Sequence, residues 1–356
     1  MLSNFLKEVK NLGTKEVVYV IGNEAADLDS VASAICLAYT WENFDGKPLV
    51  PVVNNRKEVL CMRGEIIHAL SRVGLILEDL VYADALPAEF ECILVDHNEP
   101  SLKWVMLKYR VRAIVDHHAD SGLFIEASPR IVRVCASTCS LIADLCNAQV
   151  AEEIKPLLEL AIVFDTVNWT WRATDFDIQI GQKLFYASNA DELHTKCAGI
   201  MEDIEGAFID EAALEPYLLL FKDFKSYKCS GIAYGTSVVH IPLLDFMRND
   251  PNAFALNEAD KFLREEGLEF LVILTAVREP GQYTSYQELA LFSRSQERYS
   301  RLIEHLTPPV QLVSRQQEFT PSLSFGLFDH LNLDISRKKL APMIQHFLSA
   351  NQINEA

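Results

Sequence analysis

No run of about 18 apolar residues occurs in the chain, so a conventional membrane-spanning helix is excluded. The first residues also lack the apolar core of a signal peptide. Leu2, Phe5, Leu6 and Val9 instead share one helical face, the pattern of a helix packed on its own protein. Positive charge is scarce: 32 Lys and Arg stand against 50 Asp and Glu, for a net charge of −18. That balance excludes a broad basic face for a nucleic acid polymer, and a small polyanion can bind only where metals and clustered bases reverse the sign locally. Paired cysteine motifs are missing too. Cys36, Cys61, Cys92, Cys135, Cys139, Cys146, Cys197 and Cys229 form no CxxC and no Cys/His zinc spacing, which excludes a zinc ribbon. Several lie in apolar runs as small hydrophobes, which predicts a reducing, cytoplasmic setting. Internal repeats and low-complexity segments are absent as well.

What is present is enough for two cores: 356 residues, of which 49% are apolar and 23% charged. The chain is organised around Val17 to Ala34, VVYVIGNEAADLDSVASA. Val17 to Ile21 reads as a buried strand broken by Gly22, and the small residues after Ser30 open a helix to about Trp41. Asp27 and Asp29 therefore fall on the loop at the carboxyl end of a strand, where open α/β sheets place their chemistry. Two acids one residue apart, beside Glu24, call for a counter-charge such as a divalent cation. An acidic first turn that favours the helix dipole is the other reading, and this stretch alone leaves both open.

The pattern then returns. Leu49 to Val53 reads as a second strand, and Val59 to Val73 as a helix with Arg63 near its start, on the surface or facing the site. Cys92 to Val95 ends in Asp96-His97-Asn98, Ala113 to Val115 in Asp116-His117-His118, and Leu160 to Phe164 in Asp165. Each is read as a short buried strand with an acid past its end, and helices at Cys139 to Asn147 and Ala151 to Leu160 intervene. This alternation predicts a parallel, doubly wound sheet whose strand ends bring Asp27, Asp29, Asp96, His117 and Asp165 together. After a helical connection from Tyr186 to Glu211, strands at Gly231 to Ile241, Phe270 to Val277 and Tyr286 to Ser293 define a second unit. Glu279 to Gln282 reads as a hairpin turn between the last two, and Ala253 to Glu266 and Ser295 to Leu306 read as covering helices. This unit offers bases instead of acids, at Lys225 and at Ser336-Arg337-Lys338-Lys339.

Carboxylates with imidazole suit Mg²⁺, Mn²⁺ or Co²⁺, and a shared aspartate lets two cations act as a pair in phosphoanhydride or phosphoester hydrolysis. His118, beside His117, is placed to protonate a leaving oxygen; a hydrogen-bonded core histidine is the alternative for one of the two. Arg337, Lys338 and Lys339 read either as a solvated face or as phosphate binders.

The set Asp27-Leu28-Asp29, Asp96-His97-Asn98, Asp116-His117-His118 and Asp165 resembles the four motifs of the DHH phosphoesterases. Ser336-Arg337-Lys338-Lys339 with Pro342 resembles the C-terminal motif of their DHHA2 branch, which includes family II inorganic pyrophosphatases, yeast-type cytosolic exopolyphosphatases and prune proteins. No glycine-rich GGGH segment of the DHHA1 branch is present. Gly22 to Ser30 and Pro129 to Val134 are similar to exopolyphosphatases, whereas pyrophosphatases typically carry histidine at the position of Asn23. Prune proteins usually have arginine where this chain has His118, and Asp96-His97-Asn98 looks more like the pyrophosphatase second motif.

The resemblance implies a DHH metal-binding domain over residues 1–190 and a smaller mixed-sheet α/β DHHA2 domain over 191–356, with the active site in the cleft between them. It implies two divalent cations, Mg²⁺ or Mn²⁺ with Co²⁺ a third option. Asp96 bridges them, Asp27 with Asn23 completes one site, and Asp29, His117 and Asp165 complete the other. His118 touches the substrate phosphate or leaving group and counts as catalytic with Asp96 and Asp116; Lys225, Arg337, Lys338 and Arg63 contact phosphates. The implied activity is release of terminal orthophosphate from inorganic polyphosphate by a metal-bridging hydroxide. Hydrolysis of pyrophosphate or another small phosphoanhydride or nucleotide is the nearest alternative, and a prune-like binding protein is a second. Because an amide oxygen is a harder, weaker donor than imidazole, Asn23 predicts tolerance of Mg²⁺.

Overall fold

The computed structural model describes residues 2–12, 16–100, 102, 104, 107–146, 150–276 and 288–351. The chain divides into two units, Met1–Ile209 and Asp210–Ala356. In chain order the first comprises α1 (Leu2–Lys10), β1 (Val18–Ile21), α2 (Leu28–Trp41), β2 (Asn43–Phe44), β3 (Lys47–Val53), α3 (Lys57–Leu60), α4 (Gly64–Arg72) and β4 (Val81–Tyr82). It continues with β5 (Glu89–Val95), β6 (Lys108–Asp116), β7 (Arg130–Val132), α5 (Thr138–Leu145), α6 (Lys155–Asp165), α7 (Asp175–Phe185) and α8 (Ala190–Gly206).

Val18 and Val20 of β1 enter one hydrophobic cluster, and Tyr19 and Ile21 enter another on the opposite face. A strand covered on both sides has no polar face to show, which is why the segment reads as one apolar run. The strands lie in the order β2-β3-β1-β5-β6-β7, with β4 beside β3; every pairing is parallel except β2 with β3. From β1 the chain crosses through α2 to β3 on one side, then returns to β5 on the other. The order therefore reverses at β1, and the loops after β1 and β5 diverge into the crevice where such sheets bind ligands. Gly22 lets α2 start close against this loop, because a Cβ there would overlap Ser30 Oγ and lie 3.0 Å from the Ser30 carbonyl oxygen.

Two sequence expectations are corrected here. Leu160 to Phe164 is not a strand; it is the last part of α6, so Asp165 arrives at the end of a helix. Leu157, Leu158, Leu160, Ala161, Ile162 and Val163 are all buried, and a helix packed on several sides shows the same continuous apolar run as a buried strand. Val59 to Val73 is likewise not one helix but α3 and α4. The helix after residue 190 buries Leu193, Cys197, Met201 and Ile204 in the core of the first unit. The unit boundary accordingly falls between Ile209 and Asp210.

The second unit comprises α9 (Pro216–Lys222), β8 (Phe224–Cys229), β9 (Ile232–Val239), α10 (Leu243–Phe246), α11 (Pro251–Phe254), α12 (Asp260–Glu265) and β10 (Phe270–Thr275). After these come β11 (Glu288–Ser293), α13 (Gln296–Val310), β12 (Leu312–Phe319), β13 (Ser324–His330) and α14 (Arg337–Asn351). Its sheet order is β12-β13-β11-β10-β9-β8, and only β9 with β10 is parallel. β10 and β11 pair antiparallel as a hairpin requires, while the expected turn at Glu279 to Gln282 lies outside the described residues. Ala253 to Glu266 is broken by a π turn at Ala255–Ala259. One sheet face packs on Tyr299, Leu302 and Leu306 of α13 and Leu340 and Ile344 of α14. Among the described residues no helix is long and apolar enough to cross a membrane.

Candidate metal centre

Asp96 follows β5 in the left-handed backbone region, at φ 60, and its N–H donates to Val115 O at 3.0 Å. From there its carboxylate reaches the loops on both sides. Oδ2 accepts from Asn23 Nδ2 at 2.5 Å, and Oδ1 lies 3.2 Å from His117 Nε2 and 3.6 Å from His118 Nδ1. One ligand atom each from Asp96, His117 and His118 can be chosen so that all lie within 4.8 Å of one another. The far nitrogen of His117, Nδ1, sits 2.9 Å from the Cys135 carbonyl, a contact that gives Nδ1 the proton and aims Nε2 at Asp96.

The electrostatics mark this cluster as short of positive charge. Burial, then the charges of Asp27 and Asp29, push the Asp96 carboxyl up to about 8. Asp165 is raised well above the usual carboxylate range by burial and by Asp29 and Asp27. Burial alone would depress His117, but its hydrogen bond to Asp96 and the fields of Asp96, Asp29 and Asp165 carry it to about 10. A divalent cation with His117 Nε2 and Asp96 Oδ1 among its ligands would supply the positive charge that these acids call for. Carboxylate oxygens with one correctly presented imidazole nitrogen fit a hard to borderline cation.

His118 is held by a different acid. Its Nδ1 lies 2.8 Å from Asp116 Oδ1, and its backbone N–H donates to the same oxygen at 3.1 Å. Asp116 is fully buried. Burial works to raise it, but the bonds from His118 and Asn98 overcome that and hold it far below the ordinary range, so it is ionised. An ionised acceptor places a proton on His118 Nδ1 and leaves Nε2 to take up or give one. Asn98 ties the two loops together: Nδ2 donates to Asp116 and to Ala119 O, and Oδ1 accepts from Ser121 N. The two imidazole rings meet edge to face with centroids 4.3 Å apart.

The other expected ligands surround this core. Asp27 caps α2, accepting from Ser30 N at 3.0 Å. Asp29 is buried and accepts from Ser137 Oγ at 2.6 Å, Thr138 N at 2.7 Å and Cys139 N at 2.9 Å, the opening turn of α5. Asp165 is followed by three residues in the left-handed region, Val167, Asn168 and Trp169. That turn is clamped by mutual bonds between Asn168 and His194 and by Trp169, whose ring lies against Gly181 where a Cβ would overlap it. Asn23 Oδ1 accepts from the N–H groups of Ala25 and Ala26, and its Nδ2 donates to Asp96, so the amide nitrogen faces the cluster. Arg63, expected on the surface or at the site, is buried. It is 5% exposed, paired with Glu65, and donates to Ala25 O at 2.7 Å.

In the second unit, Arg337 Nη1 donates to the carbonyl and carboxylate oxygens of Asp223, both at 2.7 Å. This joins the start of α14, which carries Arg337 and Lys338, to the start of β8, which carries Lys225, across 114 residues of sequence. The sequence reading missed Asn98 as a link between loops, and Ser137 and Thr138 as supports for Asp29. Ser137 before the apolar run of α5 is a helix-cap signal that could have drawn attention to this turn.

Known proteins resemble this chain in both units. The N-terminal domain of the DHH family matches residues 17–163, and the DHHA2 domain matches residues 207–347. Exopolyphosphatase PRUNE1 of Homo sapiens is 27% identical over 360 residues, covering 93% of this chain and 75% of its own length. Manganese-dependent inorganic pyrophosphatase of Methanocaldococcus jannaschii is 27% identical over 273 residues, covering 72% of this chain and 81% of its own. The crystal structure of a family II inorganic pyrophosphatase candidate from Methanococcus jannaschii shares the fold, with a TM-score of 0.62 at 22% identity over 93% of this chain and 99% of that one. The chain belongs to the DHH family, with a DHHA2 domain as its second half.

Proposed function

We propose that this protein is a metal-dependent phosphoanhydride hydrolase that releases terminal orthophosphate from inorganic polyphosphate. The observation that carries the reading is the approach of Asp96, His117 and His118 within 4.8 Å, set among acids whose burial and mutual repulsion raise Asp96 and Asp165. Relatives named for exopolyphosphatase and for manganese-dependent pyrophosphatase activity support the reaction class. Asp96, His117, Asp27, Asp29 and Asp165 would hold a pair of divalent cations, which when bound supply Lewis-acid polarisation of phosphoryl oxygens and acidify water.

The chain's own groups do the rest. His118, turned by Asp116, presents Nε2 to the departing phosphate oxygen and gives it a proton as the anhydride bond breaks. Arg337 and Lys338 beside Lys225 neutralise the phosphates of the chain, Arg through paired donors and Lys as point charges. Arg63 and Asn55 hold the Glu24–Ala25 loop through its carbonyls, which keeps Asn23 and Asp27 in place. Hydrolysis of pyrophosphate is the second reading, favoured by the likeness of Asp96-His97-Asn98 to the pyrophosphatase motif and by the relatives so named.

The test is orthophosphate release from polyphosphates of several lengths, pyrophosphate and cyclic nucleotides, each with Mg²⁺, Mn²⁺ and Co²⁺. Successive loss of single phosphates from long chains is expected, and activity confined to pyrophosphate would replace the first reading by the second. Asp96→Ala should abolish turnover with every substrate. Lys338→Ala should raise KM and leave metal affinity alone. A protein that hydrolyses none of these substrates acts instead as a binding protein of the prune kind.

A further inference from the structure

Among the buried acids, Asp177 touches none of the expected ligands and yet is placed to govern three of them. It lies in the first turn of α7 with 0% exposure and accepts four hydrogen bonds. Two come from Thr174, through its N–H at 2.9 Å and its hydroxyl at 2.7 Å, and these cap α7. The other two come from a different part of the chain: Ala136 N at 2.9 Å and Ser140 Oγ at 2.7 Å. Capping α7 does not require that second pair.

Residues 135–140 are the strip on which the metal centre leans. The Cys135 carbonyl fixes His117 Nδ1 at 2.9 Å. Ser137 Oγ, Thr138 N and Cys139 N all donate to Asp29, and Thr138 Oγ1 lies 3.4 Å from Asp96 Oδ1. Asp177 grips this strip at 136 and at 140, so all three donors to Asp29 lie between its two points of attachment. We propose that Asp177 is a positioning residue for the metal centre: it holds the strip so that Asp29, Asp96 and His117 keep the spacing a cation needs. The inference rests on the reading above that these residues bind divalent cations. Metal ligands act through their hydrogen-bonded supports, and loss of such a support typically weakens binding about 10- to 100-fold.

The experiment is titration of chelator-treated full-length protein with MnCl₂, followed by the electron paramagnetic resonance signal of free Mn²⁺, with thermal unfolding recorded for each variant. Asp177→Ala should weaken Mn²⁺ binding by about 10- to 100-fold. Ser140→Ala should weaken it less. Thr174→Ala, which removes the capping hydroxyl from the same carboxylate and leaves Ala136 and Ser140 on it, should lower the melting temperature and bind Mn²⁺ as the unsubstituted protein does. Unsubstituted affinity in Asp177→Ala would overturn the proposal, and so would an equal loss of affinity in Thr174→Ala at equal loss of stability. If Asp177→Ala does not fold, Ser140→Ala carries the test, because it removes one of the two attachments of the strip and leaves the cap of α7 in place; unsubstituted affinity in it then overturns the idea. Failure of the unsubstituted protein to bind Mn²⁺ overturns the parent reading, a result visible before any variant is compared.

Discussion

Asp116→Asn tests whether the buried carboxylate works through His118. In the structure one Asp116 oxygen accepts from both His118 Nδ1 and His118 N, while the other accepts from Asn98 Nδ2. An amide in the same pose keeps its oxygen on His118, and its NH₂ then faces the Asn98 NH₂, donor against donor. Asn98 cannot turn over without giving up its bonds to Ala119 O and Ser121 N. The substitution should therefore lower stability by about 1–3 kcal/mol, the magnitude for a buried polar group left unmatched. It also removes the negative charge that steadies a protonated His118. If His118 is the proton donor, general acid catalysis accounts for about 10²- to 10⁴-fold in rate, or roughly 3–5 kcal/mol. A fall in kcat within that range is expected.

Asp116 is not among the proposed metal ligands, so Mn²⁺ affinity should stay near that of the unsubstituted protein while kcat falls. Steady-state orthophosphate release together with Mn²⁺ titration separates the two quantities. The decisive comparison is the double variant. Groups that act as one unit are not additive, so Asp116→Asn added to His118→Ala should lower kcat little further. A large additional loss in the double variant, or loss of Mn²⁺ binding in Asp116→Asn alone, would refute the assignment.

For chelator-treated protein, His117 held at about 10 against 6.5 in an unfolded chain means that the folded state keeps a proton the unfolded state releases. That stabilisation is full below about pH 6.5 and is lost as pH rises through 10, so urea midpoints without metal should fall over this window and the fall should shrink with saturating Mn²⁺. Gly22→Ala forces a Cβ onto Ser30 Oγ at the start of α2 and should destabilise by about 1–3 kcal/mol, read by thermal unfolding. In the second unit, Lys222 and Glu211 form a buried pair at 2.7 Å; Lys222→Met takes the lysine's charge from the carboxylate, which His240 also contacts, and should lose about 3–5 kcal/mol in denaturant titration. With His117, held through Nδ1, turning Nε2 to Asp96, and with Asn23 presenting a donor there, Mg²⁺ should sustain activity comparable to Mn²⁺; a large excess with Mn²⁺ would refute this.

The parts of the fold that could be read from the sequence are those where local pattern and tertiary role coincide. β1, β5 and β6 are central strands buried on both faces, so their apolar runs and the acids that end them stand out. β8 and β12 were not anticipated because they are edge strands. Leu312–Phe319 exposes most of its residues and carries Ser, Arg, Gln and Glu where a central strand would show hydrophobes, and a bulge between Ser314 and Gln316 breaks its alternation. The end of α6, Leu160 to Phe164, reads as a strand for the opposite reason, since burial on several sides erases the polar stripe that marks a helix.

The same distinction divides the metal centre. Residues whose chemistry lies in their own side chain, such as Asp96, His117 and His118, could be named from motif and spacing. Asp29 could be named too, but not the fact that Ser137, Thr138 and Cys139 hold it, because that contact spans about 110 residues and uses mainly backbone N–H groups, which have no sequence signature. Asn23 shows how such support can reverse a reading. As a residue type it offers an oxygen to a cation, yet Ala25 N and Ala26 N already take that oxygen, and the orientation they impose delivers a hydrogen-bond donor to Asp96. Which atom of a side chain reaches a site is decided by the neighbours that satisfy its other atoms, and a one-dimensional pattern does not contain those neighbours.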